Sequence, residues 1–223
     1  MVVMRGHQDE HGLTLVEMMI TLAILGIVMT ALTSGAITLY RASHHADLTT
    51  RNQNEARTAI SVLSRDVRAA APVRPDPAFL VARPNEAFFT ALLDDAPRQQ
   101  LVRLFVDPTN RLVEDSTPPD PGTTLEGGLT WDVDNNSRVR YVASFVANDD
   151  VRPLFRYFDA NSNELAMSAT ACPGPDGDVP PPCLEEAQRN NIAIVGISLS
   201  ISSDPGERVR QFTVEQLVRL PNA

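Results

Sequence analysis

The chain has 223 residues, 43% of them hydrophobic, and a formal net charge of −9 in which every basic residue is an arginine. That length holds one globular domain beside one long apolar helix, and so acidic a balance disfavours a general nucleic-acid surface, which needs clustered basic side chains. The four histidines stand at positions 7, 11, 44 and 45, which leaves no Ser-His or Cys-His nucleophile and no histidine-bound metal for the remainder of the chain, and no enzyme is expected.

Residues 1–12 are short and polar, with Arg5, Asp9 and Glu10. From Met18 to Tyr40 no charge occurs, a run long enough to cross ~30 Å of hydrocarbon as a helix. A secretory signal peptide would open basic and carry a shorter apolar core ahead of a small-residue cut. Ser34-Gly35-Ala36 imitates such a cut and keeps that alternative open, whereas the polar leader and Glu17 argue against it. Glu17 sits at the mouth of the apolar run, where an ionisable group is costly unless it finds a partner.

No proline occurs between Leu13 and Ala71. Ala56, Ile60, Leu63, Val67 and Ala70 recur at helical spacing, one apolar stripe. This predicts a continuous helix over 13–71, about 88 Å long at ~1.5 Å per residue. Residues 13–40 would lie in the membrane and 41–71 would form an amphipathic extension whose last four turns dock on a domain. His44-His45, on a polar stretch, reads as solvated or in contact with a neighbouring subunit rather than as a metal site.

Residues 72–223 predict a domain of antiparallel strands. The runs 99–106 and 111–114 flank a turn at Asp107–Asn110. Further strands are expected at 129–133, 138–147, 154–158 and 164–167, with a helical turn at 187–191. The clearest strand is 192–202, with Ala193, Val195, Ile197, Leu199 and Ile201 on one face. Asp204–Glu207 would turn it into a return strand at 209–220, and Ile60, Leu63 and Val67 would cover the apolar face. Trp131, Phe145, Tyr157 and Phe158 read as core rather than as a binding platform.

Three patterns touch on ligand chemistry. Asp159, Asn161 and Asn163 open like a calcium loop, but Glu164 takes the glycine position and Thr170 that of the bidentate glutamate. A solvated turn is the reading, as it is for Asp132–Asn136. The doublets Asp94-Asp95, Asp149-Asp150 and Glu185-Glu186 read as surface charge, not as a general acid/base pair. Cys172 and Cys183 bracket a proline-rich loop and read as a disulfide in an exported domain, worth ~2–3 kcal/mol in the chain-entropy model. Zinc would need about four ligands, and neither a metal nor a cofactor is expected.

Gly12-Leu13-Thr14-Leu15-Val16-Glu17 and the apolar run after it resemble the processing and assembly segment of type IV prepilins and type II secretion pseudopilins, over residues 6–40. The resemblance implies a pilin-like α+β fold, a long N-terminal helix packed on an antiparallel sheet domain. It also implies a leader of residues 1–12, cut between Gly12 and Leu13 by a prepilin peptidase, and methylation of the new N-terminus. In that family the acid at the Glu17 position pairs with the N-terminal amine of an adjacent subunit. Leu13 departs from the usual phenylalanine after the cut. Residues 154–159 and 214–222 are similar, more diffusely, to J-type pseudopilins and W-type minor pilins. The implied protein is a structural subunit of a type IV pilus or type II secretion pseudopilus, single-pass in the inner membrane with its C-terminal domain outside the cytoplasm. Its partners would be the peptidase, other subunits and the membrane. The alternative in another class is a signal-anchored exported binding or adhesive domain that does not polymerise.

Overall fold

A computed structural model describes residues 14–73, 76–93, 98–123, 129–149, 151–168, 182–202 and 211–221. The chain divides into two compact units between Leu48 and Thr49. Helix α1, Leu15–Arg68, runs through both. In the first unit its residues stay exposed almost throughout, including the large apolar side chains from Leu15 to Tyr40. By length and composition α1 can cross a membrane. Its hydroxyls bond back along the helix: Thr30 to the Gly26 carbonyl at 2.8 Å, Thr33 to Met29 at 2.8 Å, Ser34 to Thr30 at 2.9 Å and Thr38 to Ser34 at 2.9 Å. Thr21 does the same to the carbonyl of Glu17.

In the second unit α1 becomes one-sided. Ala56, Ile60, Leu63 and Val67, with Ala70 just beyond the helix end, are buried in a single core as the apolar stripe predicts, and Ala59 joins them. The helix ends at Arg68, three residues short of the expected Ala71. The cause is capture of the next backbone groups by a strand: Ala70 bridges Ala91, Ala71 N–H donates to the Thr90 carbonyl at 2.9 Å, and Leu92 N–H donates to Ala69 at 3.2 Å.

Five strands form one antiparallel sheet in sequence order: β1 Phe79–Ala82, β2 Glu86–Ala91, β3 Gln100–Val106, β4 Leu112–Thr117 and β5 Arg138–Ala143. Three form a second: β6 Phe155–Phe158, β7 Ile194–Ile201 and β8 Phe212–Arg219. Short helices α2, Val133–Asn136, and α3, Glu186–Arg189, complete the elements. This is an α+β, pilin-like architecture, with an apolar helix packed on antiparallel sheets. The two sheets share a core in which Phe79 meets Phe89 and Tyr157 at ring-centroid distances of 5.2 and 5.9 Å.

Several expected strands take another form. Residues 129–133 are not a strand. Trp131 and Val133 lie over Val81, Phe88 and Leu101 on the outer face of the first sheet, and Asp132 caps α2 by accepting from Asn135 N–H at 3.2 Å. Asp120 holds that cover in place, accepting from Thr130 Oγ1 at 2.6 Å and Asp132 N–H at 3.0 Å. The run 138–147 breaks after Ala143, where Phe145 takes φ 55° and is half exposed rather than core. The kink lets residues 145–148 cross to the second sheet. Ala147 N–H donates to Ser200 at 2.8 Å and Ser202 N–H to Phe145 at 2.9 Å. The Asn148 amide behaves like a piece of backbone, donating to the Ser198 carbonyl at 2.7 Å and accepting from Ser200 N–H at 3.0 Å. Residues 164–167 make only a bridge, Phe158 to Glu164. Strand β7 and the residue before it have the expected apolar face, with Ala193, Val195, Ile197, Leu199 and Ile201 all buried. The turn expected at Asp204–Glu207 lies outside the described residues.

Candidate functional site

The sequence places the site at the N-terminal end of α1. Gly12 and Leu13, the expected cleavage pair, lie outside the described residues. The first described residue, Thr14, receives Glu17 N–H on its carbonyl at 3.1 Å and on Oγ1 at 3.3 Å. A Thr at the N-cap with Glu three residues on has the spacing of a capping box, and one half of that exchange is formed here. Thr14 was legible in the sequence by this spacing and carries no other signal. It fixes where the helix begins, so Glu17 sits in the first turn, where the helix dipole favours an anion. Among the described residues the Glu17 carboxylate has no hydrogen-bond or ion-pair partner, and its surroundings are apolar: Leu15, Val16, Met18, Met19 and Ile20 are all exposed. An exposed acid in an apolar collar can serve as a charge-pairing point and offers no reacting constellation. Beyond it, Gly26 and Gly35 have nothing within 4 Å of where a Cβ would stand, two small-residue positions open on the helix surface.

The other residues singled out by sequence are scattered. Cys172 lies outside the described residues, and Cys183 is fully buried, its backbone paired with Ser168. At the calcium-like turn, Asp159 spends its carboxylate on its own loop, accepting from Asn161 N–H at 2.8 Å, Asn163 N–H at 2.8 Å and Asn163 Nδ2 at 2.9 Å. The Asn163 side-chain amide, then its backbone N–H, hold the Asp159 carboxyl below its ordinary range. Among the described residues no group of three or more His, Cys, Asp or Glu is placed to hold a metal. His44 and His45 are exposed on α1.

One arrangement was not foreseen. Asp66, inside the apolar stripe of α1, is fully buried. Its Oδ1 takes Arg65 Nε at 3.0 Å, while Oδ2 accepts no hydrogen bond and stands 3.9 Å from Arg140. Glu114 of β4, also buried, pairs with Arg140. Burial first, and the neighbouring Glu114 second, push the Asp66 carboxyl up to about 7. The pair ties α1 to β4 and β5. Its sequence signal was weak, a single acid amid helical apolar spacing.

Residues 8–33 match the family model described as the prokaryotic N-terminal methylation motif. No curated protein and no solved structure matches the chain. The motif together with the exposed apolar helix supports a pilin-like, membrane-anchored, single-pass structural subunit. It implies, in general terms, processing by a prepilin peptidase and assembly with other pilins.

Proposed function

We propose that the chain is a minor pilin or pseudopilin, a subunit of a type IV pilus or type II secretion pseudopilus that helps to start or extend the filament. The observation that carries this reading is the methylation motif lying across the one carboxylate at the head of an exposed apolar helix. In this reading the peptidase cuts between Gly12 and Leu13 and the new amine is methylated. Glu17 then pairs with the amine of a neighbouring subunit. Two opposite charges attract strongly at low dielectric, while either alone is penalised there. Residues 13–40 span the membrane, 41–71 extend the helix, and the domain of 72–223 lies outside the cytoplasm. There Cys172 and Cys183 close a disulfide, a pairing supported by the absence of a free cysteine among the described residues. The diffuse likeness of 154–159 and 214–222 favours the J-type or W-type subclass.

Intact-mass measurement and N-terminal sequencing of protein from native membranes test the reading directly. The expected product starts at N-methyl-Leu13, and recovery of an uncut Met1 form would overturn it. Glu17→Ala is expected to be cut normally yet to enter filaments at about a tenth of the wild-type level or less, read by immunoblot of sheared filaments. Such a loss corresponds to ~1.4 kcal/mol or more of assembly free energy.

A further inference from the structure

The second unit segregates charge along α1. Between Thr49 and Arg68 the helix carries two acids and four arginines, and the acids turn inward. Glu55 accepts the Ser144 N–H just after β5, and Asp66 is fully buried. Arg51, Arg57, Arg65 and Arg68 are all exposed. At ~100° per residue they fall within an arc of about 120°, spread over ~26 Å of helix. Between Thr49 and Arg68 no carboxylate shares that arc; Asn54, Thr58 and Ser61 fill it. Elsewhere in the unit arginines hold carboxylates of their own chain: Arg83 and Arg103 on Glu86, Arg140 on Glu114, Arg156 on Glu164. Arg51, Arg57 and Arg68 form no such pair among the described residues. The same holds for Arg138 on β5. Two grooves of about 600 and 420 Å³ meet at Arg65, one passing Arg57, Arg68 and Gln216, the other Arg138, Arg140 and the Glu114 that Arg140 neutralises.

We propose that this outward face of α1, from Arg51 to Arg68 with Arg138 beside it, is a docking surface for an acidic protein segment that presents Asp or Glu side chains at helical spacing. Charge complementarity names the partner: exposed arginines with no acid among them between Thr49 and Arg68, on a chain of net charge −9, are matched by carboxylates through opposite charge. A lipid surface fits poorly. An interfacial helix inserts an apolar face, and the apolar face here is already buried in the core. A nucleic acid fits poorly too, because the acidic remainder of the chain repels a long polyanion. The inference stands whether or not the chain polymerises.

The test uses the full-length protein in its native membrane, with a photoreactive phenylalanine analogue at Ser61 and mass-spectrometric sequencing of the adduct. The expected adduct joins Ser61 to a protein segment richer in Asp and Glu than in Arg and Lys. Arg57→Glu with Arg68→Glu should lower its yield about tenfold, as should raising the salt to ~0.5 M, while Arg57→Lys with Arg68→Lys should stay within about twofold. Arg57→Gln with Arg68→Gln, neutral and compatible with the helix, should lose at least half the yield and guards against a folding defect in the reversed pair. No adduct, an adduct with lipid or nucleic acid, a segment without acidic excess, or a yield indifferent to charge would each overturn the proposal.

Discussion

Asp66 shows how a single buried acid sets a pH response. Its carboxyl ionises at about 3.8 when free and at about 7 in the fold, burial being the first cause and Glu114 the second. The folded state therefore holds the proton more tightly than the unfolded chain. The stabilisation is full below pH ~4, falls by up to ~1.4 kcal/mol per pH unit as pH rises toward 7, and is gone above it. Thermal denaturation of the protein is expected to show a lower melting temperature at pH 8 than at pH 5.5. Asp66→Asn, which keeps the shape without the charge, should flatten that profile and melt above wild type at pH 8. A wild-type profile flat over this range would show that Asp66 is ionised throughout. Arg65, Glu114 and Arg140 are the charged groups around it. The sequence marked Asp66 only weakly, since its partners come from strands whose pairing cannot be read locally. Glu17 was legible for the opposite reason: an acid beside an uncharged run needs no tertiary context to stand out.

Elements were legible where one face is wet and the other dry. Strand β7 alternates branched apolar with small residues in sequence, so its place and its more deeply buried face follow from period, although Ser200 on the other face is buried as well. Strands β1 and β2 gave no such pattern. Strand β2 is buried on both faces, Ala87 and Phe89 toward the main core and Phe88 toward the smaller cluster under Trp131. A strand covered on both sides reads as an unpatterned apolar run. The segment 129–133 failed differently: its apolar residues serve as a lid on Phe88, held by the Asp120 carboxylate rather than by a ladder. In α1 the buried stripe carries the load. Leu63 is fully buried in the main core, and Leu63→Ala is expected to cost ~2–5 kcal/mol, measured by urea denaturation. Glu55→Ala, which strips the Ser144 N–H of its acceptor, should cost ~1–2 kcal/mol in the same assay.

Across the whole molecule, the helix stripe and the 145–148 crossing both join the sheets of the second unit. The sheets are therefore expected to unfold together, and calorimetry should resolve one transition for that unit. Asn148→Asp replaces the donor aimed at the Ser198 carbonyl with an anion and should cost ~1–3 kcal/mol. A mutant melting in two steps would mark that crossing as the joint between the sheets. The long N-terminal helix and the antiparallel sheets it packs on were legible from composition and period. The charge segregation along α1 was not, because which acids turn inward depends on the strands that receive them.

In the apolar segment every hydroxyl from Thr14 to Thr38 is engaged with its own helix. A rod built this way offers sideways neighbours smooth hydrocarbon and small-residue dents, with the hydroxyl protons of Thr21, Thr30, Thr33, Ser34 and Thr38 already spent inside it. It has a single notch, the carboxylate in its first turn. If copies pair through Glu17 as proposed, they slide past one another at little cost until that notch engages, and the stagger between them is dictated by one atom group and not by the length of the contact.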